Sequence, residues 1–158
     1  IRDSDHAIRY DVTFTLPADE RHRRATFEVL TGYMPAAFRT FHALLADDGL
    51  EPLTDGPGEQ GNPVIVSTTD GSHAMGVWSP SVSRSTGRPC TYGRFWFDAA
   101  RVAKWNCVVR EEAAAADPLA ALVAGAYRYP VWVGVGSREQ VRATLAAVRK
   151  RTHVGATP

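Results

Sequence analysis

Two neighbouring segments of the chain alternate aromatic residues with basic and amide residues that can bind an anion. The first contains Arg94 and Trp96, and the second contains Lys104 and Asn106. Guanidinium and ammonium groups hold carboxylate, sulfate or phosphate. On adjacent strands, Arg94, Lys104 and Asn106 are expected to converge on a concave surface framed by aromatic rings, which suits a polar, anionic small molecule. The alternative is a solvated outer sheet face with a tryptophan core behind it.

A second candidate site combines a carboxylate with an imidazole. Glu59 lies in residues 54–63, a stretch with three glycines and two prolines, and His73 follows the Asp70-Gly71 turn. Shaped loops of this kind often carry functional residues. Near one rim of a cleft, Glu59 and His73 could act as general base and general acid. The alternative is that both side chains are simply solvated.

A third feature is a short segment in which Gly32 and Pro35 bracket two large residues, Tyr33 and Met34. We interpret it as a rigid loop that either plugs the core or lines a pocket, where Tyr33 would contact substrate.

The chain lacks the sequence motifs of common phosphate-binding, metal-binding and nucleophilic sites. The chain has no phosphate-binding glycine loop, no His-Glu-x-x-His and no nucleophile elbow, and its five histidines are scattered. We therefore predict no metal and no cofactor. The two cysteines, Cys90 and Cys107, form no Cys-x-x-Cys motif, and reduced thiols inside a cell are the better expectation.

The elements that must position these residues are mostly strands. Apolar residues alternate over 8–16, which predicts a half-buried strand. Similar patterns predict strands at the following ranges: 39–45, 50–53, 64–68, 73–78, 92–97, 102–110 and 127–135, with a short strand at 26–30. Ser137 and Gln140 form a capping box before one C-terminal helix. Asp117 and Pro118 suit the start of a further short helix.

The predicted fold class is mainly β (α+β): an antiparallel β-sandwich, or part of a supersandwich, with one C-terminal helix. The 158 residues suit a single β-rich domain. Eighteen basic and seventeen acidic residues give a net charge of +1, which offers no footprint for nucleic acid. No apolar run is long enough to span a membrane, and we expect a cytoplasmic protein without nucleic-acid or membrane partners.

Several short motifs together resemble a known group of proteins. They are Gly32–Pro35, Gly58–Gln60, His73–Pro80, Lys104–Cys107 and the strand-helix unit 127–148. As a set they are similar to the C-terminal half of actinobacterial proteins of the galactose-mutarotase-like supersandwich group. The resemblance implies a concave sugar-binding cleft. A complete supersandwich is longer, and this chain departs from the group in lacking a histidine-glutamate pair in the mutarotase arrangement. The resemblance leaves a mutarotase-like isomerase or a mutarotase-like sugar-binding protein as alternatives. A partial supersandwich would need a partner chain or a homodimer to cover its sheets.

In size and composition the chain also resembles the small subunit of two-protein enzymes that close aziridine rings by sulfate elimination in azinomycin-type antibiotic biosynthesis. That resemblance implies a cofactor-independent enzyme subunit whose cationic residues hold the leaving sulfate, while Glu59 or His73 accepts a proton. The competing hypothesis is a non-catalytic carbohydrate-binding module that stacks sugars on Trp78, Trp96 or Trp105.

Overall fold

The structure is a computed structural model that describes residues 6–117 and 119–154, which form ten strands and one helix. The elements are β1 (Ala7–Leu16), β2 (Arg24–Met34), β3 (Phe38–Leu44), β4 (Leu50–Leu53), β5 (Gly58–Gln60), β6 (Val64–Thr68), β7 (Ala74–Trp78), β8 (Thr91–Phe97), β9 (Val102–Glu112), β10 (Gly125–Gly136) and α1 (Arg138–Val154).

The strands form two antiparallel sheets. The large sheet has six strands in the order β1-β10-β7-β6-β3-β4, and the small sheet has four in the order β2-β9-β8-β5. The chain crosses between the sheets several times, so that β2 leaves its sequence neighbour β1 and pairs with β9 instead. The predicted mainly β sandwich with a C-terminal helix is confirmed.

The core lies between the two sheets. Alternate residues of both sheets point inward, and Trp105, Tyr92 and Phe41 are among the largest fully buried side chains. On the opposite side of the large sheet, Val141 and Leu145 of α1 pack against a second cluster that includes Ile65. The two sheets thus cover each other's inner faces in the described chain.

Local chemistry explains how the elements begin and end. Gly71 has a φ of 74° in the turn between β6 and β7, a conformation that glycine adopts without steric cost. Before α1, the backbone N–H of Ser137 donates to Oε1 of Gln140, and the backbone N–H of Gln140 donates to Oγ of Ser137. The predicted capping box is therefore formed.

Three predictions about individual elements need correction. The stretch 54–63 contains β5, which joins the edge of the small sheet through pairing with β8. The strand predicted at 26–30 extends over all of β2, so Tyr33 and Met34 alternate between its two faces and do not form a loop. Pro118 lies outside the described residues, and residues 119–124 contain no helix.

Candidate functional site

The outer face of the small sheet, which points away from the core, carries a row of aromatic and charged side chains. Strand register places Tyr33 opposite Lys104, and Lys104 opposite Phe95. The Lys104 Nζ lies 5.7 Å from the Tyr33 ring centroid and 5.5 Å from that of Phe95, and 2.7 Å from Oε1 of Glu28. Tyr33 is 62% exposed. Lys104 is therefore held between two rings and a carboxylate, in a favourable cation–π geometry.

Asn106 completes this network from a buried position on the same face. Its Nδ2 donates to Oε1 of Glu28 at 2.7 Å, and its Oδ1 accepts from the backbone N–H of Gly93 at 2.9 Å. Burial raises the pKa of Glu28, but hydrogen bonds from Lys104, Asn106 and Thr31 outweigh this effect and hold the pKa below its usual range. Both ends of the Asn106 amide are thus occupied within the protein.

A second charge network lies on the outer face where β5, β8 and β9 meet. Arg110 binds both carboxylate oxygens of Glu59, with 2.7 Å between Nη2 and Oε2, and the Thr91 hydroxyl donates to Glu59 Oε1. The hydrogen bond from Arg110 is the main reason why the pKa of Glu59 is lowered. Glu59 is therefore held as an ionised partner of Arg110, which weakens it as a proton acceptor.

A pocket of ≈ 400 Å³ opens beside this network, and we call it the arginine pocket. Its lining residues are Gly61, Thr86, Arg88, Pro89, Cys90, Thr91, Val108, Arg110 and Glu112. Arg110 is neutralised by Glu59, whereas neither the Arg88 guanidinium nor the Glu112 carboxylate has a partner among residues 6–117 and 119–154. The pocket thus offers one unpaired cation and one unpaired anion beside hydroxyl and apolar groups.

The loop between β7 and β8 forms one wall of the arginine pocket, and a buried carboxylate holds this loop in place. Glu111 is fully buried, and its Oε2 accepts from the Ser83 hydroxyl, the Ser85 hydroxyl and the Ser85 backbone N–H at 3.0, 2.6 and 2.8 Å. Its Oε1 accepts from the Arg84 backbone N–H at 2.8 Å and the Tyr129 hydroxyl at 2.9 Å. Burial raises the pKa of Glu111, but the hydrogen bonds from these donors outweigh that effect and hold the pKa below its usual range. The carboxylate therefore stays ionised.

Beyond the loop lies a second pocket of ≈ 430 Å³, which shares Thr86 and Glu112 with the arginine pocket. Its far wall is formed by residues 113–115 and 120–123, which are rich in alanine. Arg23 fixes that segment by donating to the backbone carbonyls of Ala114, Asp117 and Ala120. The two pockets are therefore neighbours on either side of one anchored loop.

The predicted convergence of Arg94, Lys104 and Asn106 is not what the register shows. Arg94 is opposite Trp105 and so lies on the other face of the sheet from Lys104 and Asn106. Its guanidinium binds the carbonyl and hydroxyl of Thr54 and the side-chain oxygen of Gln60. Residues that lie opposite each other on paired strands share a face, and successive residues of β9 alternate between faces, so Trp105 and Arg94 lie on the face opposite Lys104 and Asn106. Arg94 thereby ties β8 to the 54–60 segment.

Trp96 also lies away from the outer face. It packs partly against the core, its indole N–H donates to Asp98 at 2.7 Å, and the Arg39 guanidinium lies 3.8 Å from its ring centroid. Trp78 and Trp105 are 4% and 2% exposed, so neither offers a sugar-stacking platform. Trp96 is only half-buried, and the Arg39 guanidinium lies over its ring.

His73 and Glu59 lie in different parts of the sandwich. Glu59 belongs to β5 of the small sheet and comes before β6, whereas His73 follows β6 in the turn of the large sheet. The His73 imidazole Nδ1 is 2.9 Å from the Ser72 hydroxyl. The five residues of β6, roughly 13 Å of extended chain, separate the two segments.

The structure brings Tyr33, Lys104 and Asn106 together, and places Glu59 on the same face.

Sequence reasoning missed Arg88, Arg110 and Glu111. Arg88 lies in a Gly/Pro/Ser-rich loop where no periodicity applies. For Glu111 a signal existed, since continuing the alternation of Trp105, Cys107 and Val109 by two residues puts its carboxylate on the core face. A buried carboxylate requires several hydrogen-bond donors and so indicates an organised site.

Comparison with known proteins adds no assignment. No family model matches the chain, and no curated protein matches it. The resemblances to supersandwich proteins and to aziridine-forming enzymes stay predictions. Within the described residues no group of three or more His, Cys, Asp or Glu side chains is placed to hold a metal ion. The helix of the described chain is also not long and apolar enough to cross a membrane.

Proposed function

We propose that this protein binds a small molecule with an anionic group in the arginine pocket, as a subunit of a cofactor-independent biosynthetic enzyme. The observation that carries the proposal is Arg88, a guanidinium that lines a pocket of ≈ 400 Å³ and has no partner in the described part of the chain. A guanidinium presents its donors in a planar fork that matches carboxylate, sulfate or phosphate oxygens.

The neighbouring groups narrow the class of ligand. Glu59 neutralises Arg110 and fixes its orientation, so a single anionic group is enough to balance the charge at Arg88. The unpaired carboxylate of Glu112 favours a ligand that also carries an amine or hydroxyl. Val108 and Pro89 supply an apolar wall. A volume of this size holds a metabolite of moderate size and not a polymer.

One specific reaction fits this combination of groups. In aziridine closure, an amine nitrogen attacks the neighbouring carbon that carries a sulfate ester, the C–O bond breaks, and sulfate leaves with the bonding electrons. The amine then gives up its proton. We propose that Arg88 would hold the sulfate, and that Glu112 would accept the proton. Glu59 suits that second role less well, because Arg110 lowers its pKa.

The test is calorimetric titration with sulfate, phosphate and small carboxylates or sulfate esters that carry an amine. Replacing Arg88→Ala should weaken binding of the best anion by about 10- to 100-fold, the value of one charge-assisted hydrogen bond. Arg128→Ala is the matched control, because Arg128 is an exposed arginine on the large sheet. The proposal fails if no anion binds, or if Arg88→Ala and Arg128→Ala behave alike.

The second candidate function is non-catalytic carbohydrate binding, and one observation favours it. Tyr33 presents a 62% exposed ring beside Lys104 on the outer face, where a sugar could stack. Neutral sugars in the same titration series distinguish the two functions. Binding of a neutral sugar that Tyr33→Ala abolishes and Arg88→Ala leaves intact would replace the anion-binding proposal with this one.

A further inference from the structure

The two sheets of the sandwich have four edge strands, and these differ in how well they are protected against pairing. β4 is four residues long and contains Pro52, and β5 is three residues long. β2 carries an irregularity between Glu28 and Leu30. β1 is ten residues long, contains no proline, and pairs without a register shift to β10 alone in the described chain. It therefore lacks the short length, the proline and the bulge that commonly block an edge strand.

The apolar side of β1 is also incompletely covered. Val12, Phe14 and Leu16 pack against the core, and the even-numbered residues earlier in the strand point to the same side. There Ile8 is 49% exposed and Tyr10 is 41% exposed. The first half of β1 thus combines a free edge with two large side chains left in solvent.

The unpaired backbone groups along the free edge of β1 belong to its odd-numbered residues. The backbone N–H of Val135 donates to the carbonyl of His6, and hydrogen-bonded pairs alternate along an antiparallel ladder. Even-numbered residues of β1 therefore bond to β10. The N–H and C=O groups of Ala7, Arg9, Asp11 and Thr13 point outward.

We propose that β1 pairs with β1 of a second copy of this chain, antiparallel and with Tyr10 on the two-fold axis. In this register Arg9 lies opposite Asp11 of the second copy, and Asp11 lies opposite Arg9 of the second copy. Ile8 contacts Val12 of the second copy, and the two Tyr10 rings meet. The outward backbone groups of the odd-numbered residues satisfy each other, and the two large sheets become one continuous sheet.

Charge complementarity selects this register over its neighbours. Centring the pair on Asp11 places the two Asp11 carboxylates opposite each other, and centring it on Arg9 does the same with the two guanidinium groups. Like charges directly opposite are destabilising, whereas opposite charges stabilise a cross-strand pair. In the single chain, Arg9 and Asp11 already attract each other, with 2.8 Å between Nη2 and Oδ1. The self-pairing extends this contact into a four-residue charge network across the axis.

The test measures the mass of the full chain between 1 and 100 μM by analytical ultracentrifugation. The wild type should dimerise in this range. Arg9→Asp, which places two aspartates opposite each other at two symmetric positions, should weaken the dimer at least tenfold. Asp11→Arg should do the same. The double variant with both substitutions restores opposite charges and should dimerise within about threefold of the wild type, while Arg128→Asp on the same sheet should have no effect.

Cross-linking checks the register independently. Tyr10→Cys should form a disulfide-linked dimer when oxidised glutathione takes up the two electrons and two protons, because the two thiols meet at the axis. Ile8→Cys should not, since Ile8 faces Val12 of the second copy. The native cysteines, Cys90 and Cys107, are buried.

Each contrary outcome overturns the inference. A chain that stays monomeric at 100 μM, including one that instead binds a different protein along β1, has no self-pairing edge. A dimer that is indifferent to the charge swaps uses another surface, and cross-linking through Ile8→Cys shows a different register. None of these results depends on ligand binding, so the dimer and the arginine-pocket proposal are tested independently.

Discussion

The substitution Glu111→Gln tests how much one buried carboxylate contributes to the wall of the arginine pocket. It keeps the size of the side chain and removes its charge. In the wild type, Oε1 accepts from the Arg84 backbone N–H and Oε2 accepts from the Ser85 backbone N–H. Glutamine has one accepting oxygen, and its NH₂ group must take the other position. Either orientation leaves one backbone N–H facing a second donor.

The expected magnitude follows from this geometry. An orphaned buried N–H costs about 1–3 kcal/mol, and the bonds that remain change from charge-assisted to neutral. Avoiding the burial of a charge offsets part of this loss. The free energy of unfolding should therefore fall by about 2–4 kcal/mol. For a chain of this length the melting temperature should drop by roughly 5–15 °C.

The assay is urea unfolding at neutral and acidic pH, followed by the fluorescence of buried Trp78 and Trp105. The folded pKa of Glu111 lies below its ordinary value of 4.5. Its contribution is therefore fully present above pH 4.5 and is lost as the pH falls through the folded pKa. The difference between wild type and Glu111→Gln should be full at neutral pH and shrink below pH 4.5.

Glu112→Gln is the matched control, because the neighbouring Glu112 side chain has no partner in the described chain. It should change stability by no more than about 0.5 kcal/mol. If Glu111→Gln is equally mild, or if its deficit grows as the pH falls, then the carboxylate does not hold the loop as the hydrogen bonds indicate.

Two further predictions concern other parts of the sandwich. Gly32→Ala should destabilise the protein by about 2 kcal/mol or more through overpacking, because the new Cβ would lie 2.3 Å from the Trp105 ring. Gly61→Ala, with nothing within 4 Å, should leave the urea midpoint nearly unchanged, and equal midpoints for the two variants would refute the packing argument. By NMR titration, the Asp70 carboxyl should show a pKa of about 2, chiefly because the Thr68 hydroxyl donates to it. Thr68→Val should raise that value, and an unchanged value would remove the assigned cause.

Much of the fold could be predicted because strand alternation and helix capping are local properties. The pattern over 8–16 placed β1 to within one residue of its start, and the alternation of Lys104 and Asn106 against Trp105 separated the outer face of β9 from its core face. The capping box fixed the start of α1. In each case neighbours within four residues determine which way a side chain points.

Which strands pair, and in which sheet, depends on long-range packing that alternation does not encode. The sequence pattern predicts Arg94 on the face of Lys104, but the register of β8 against β9 puts it opposite Trp105. A shift of one residue in such a pairing exchanges the faces of a whole strand. The pairing of β5 with β8 likewise brings Glu59 to Arg110, 51 residues further along the chain.

The sequence by itself therefore determined the extended segments, their apolar and polar sides, and the C-terminal helix. Only the tertiary structure decided that Glu59 meets Arg110, that Glu111 holds the loop, and that Arg88 is left to line a pocket. The physical reason is range. A side chain's direction follows from the geometry of its own strand, whereas a site requires residues from several strands, and their juxtaposition is set by how two whole sheets pack.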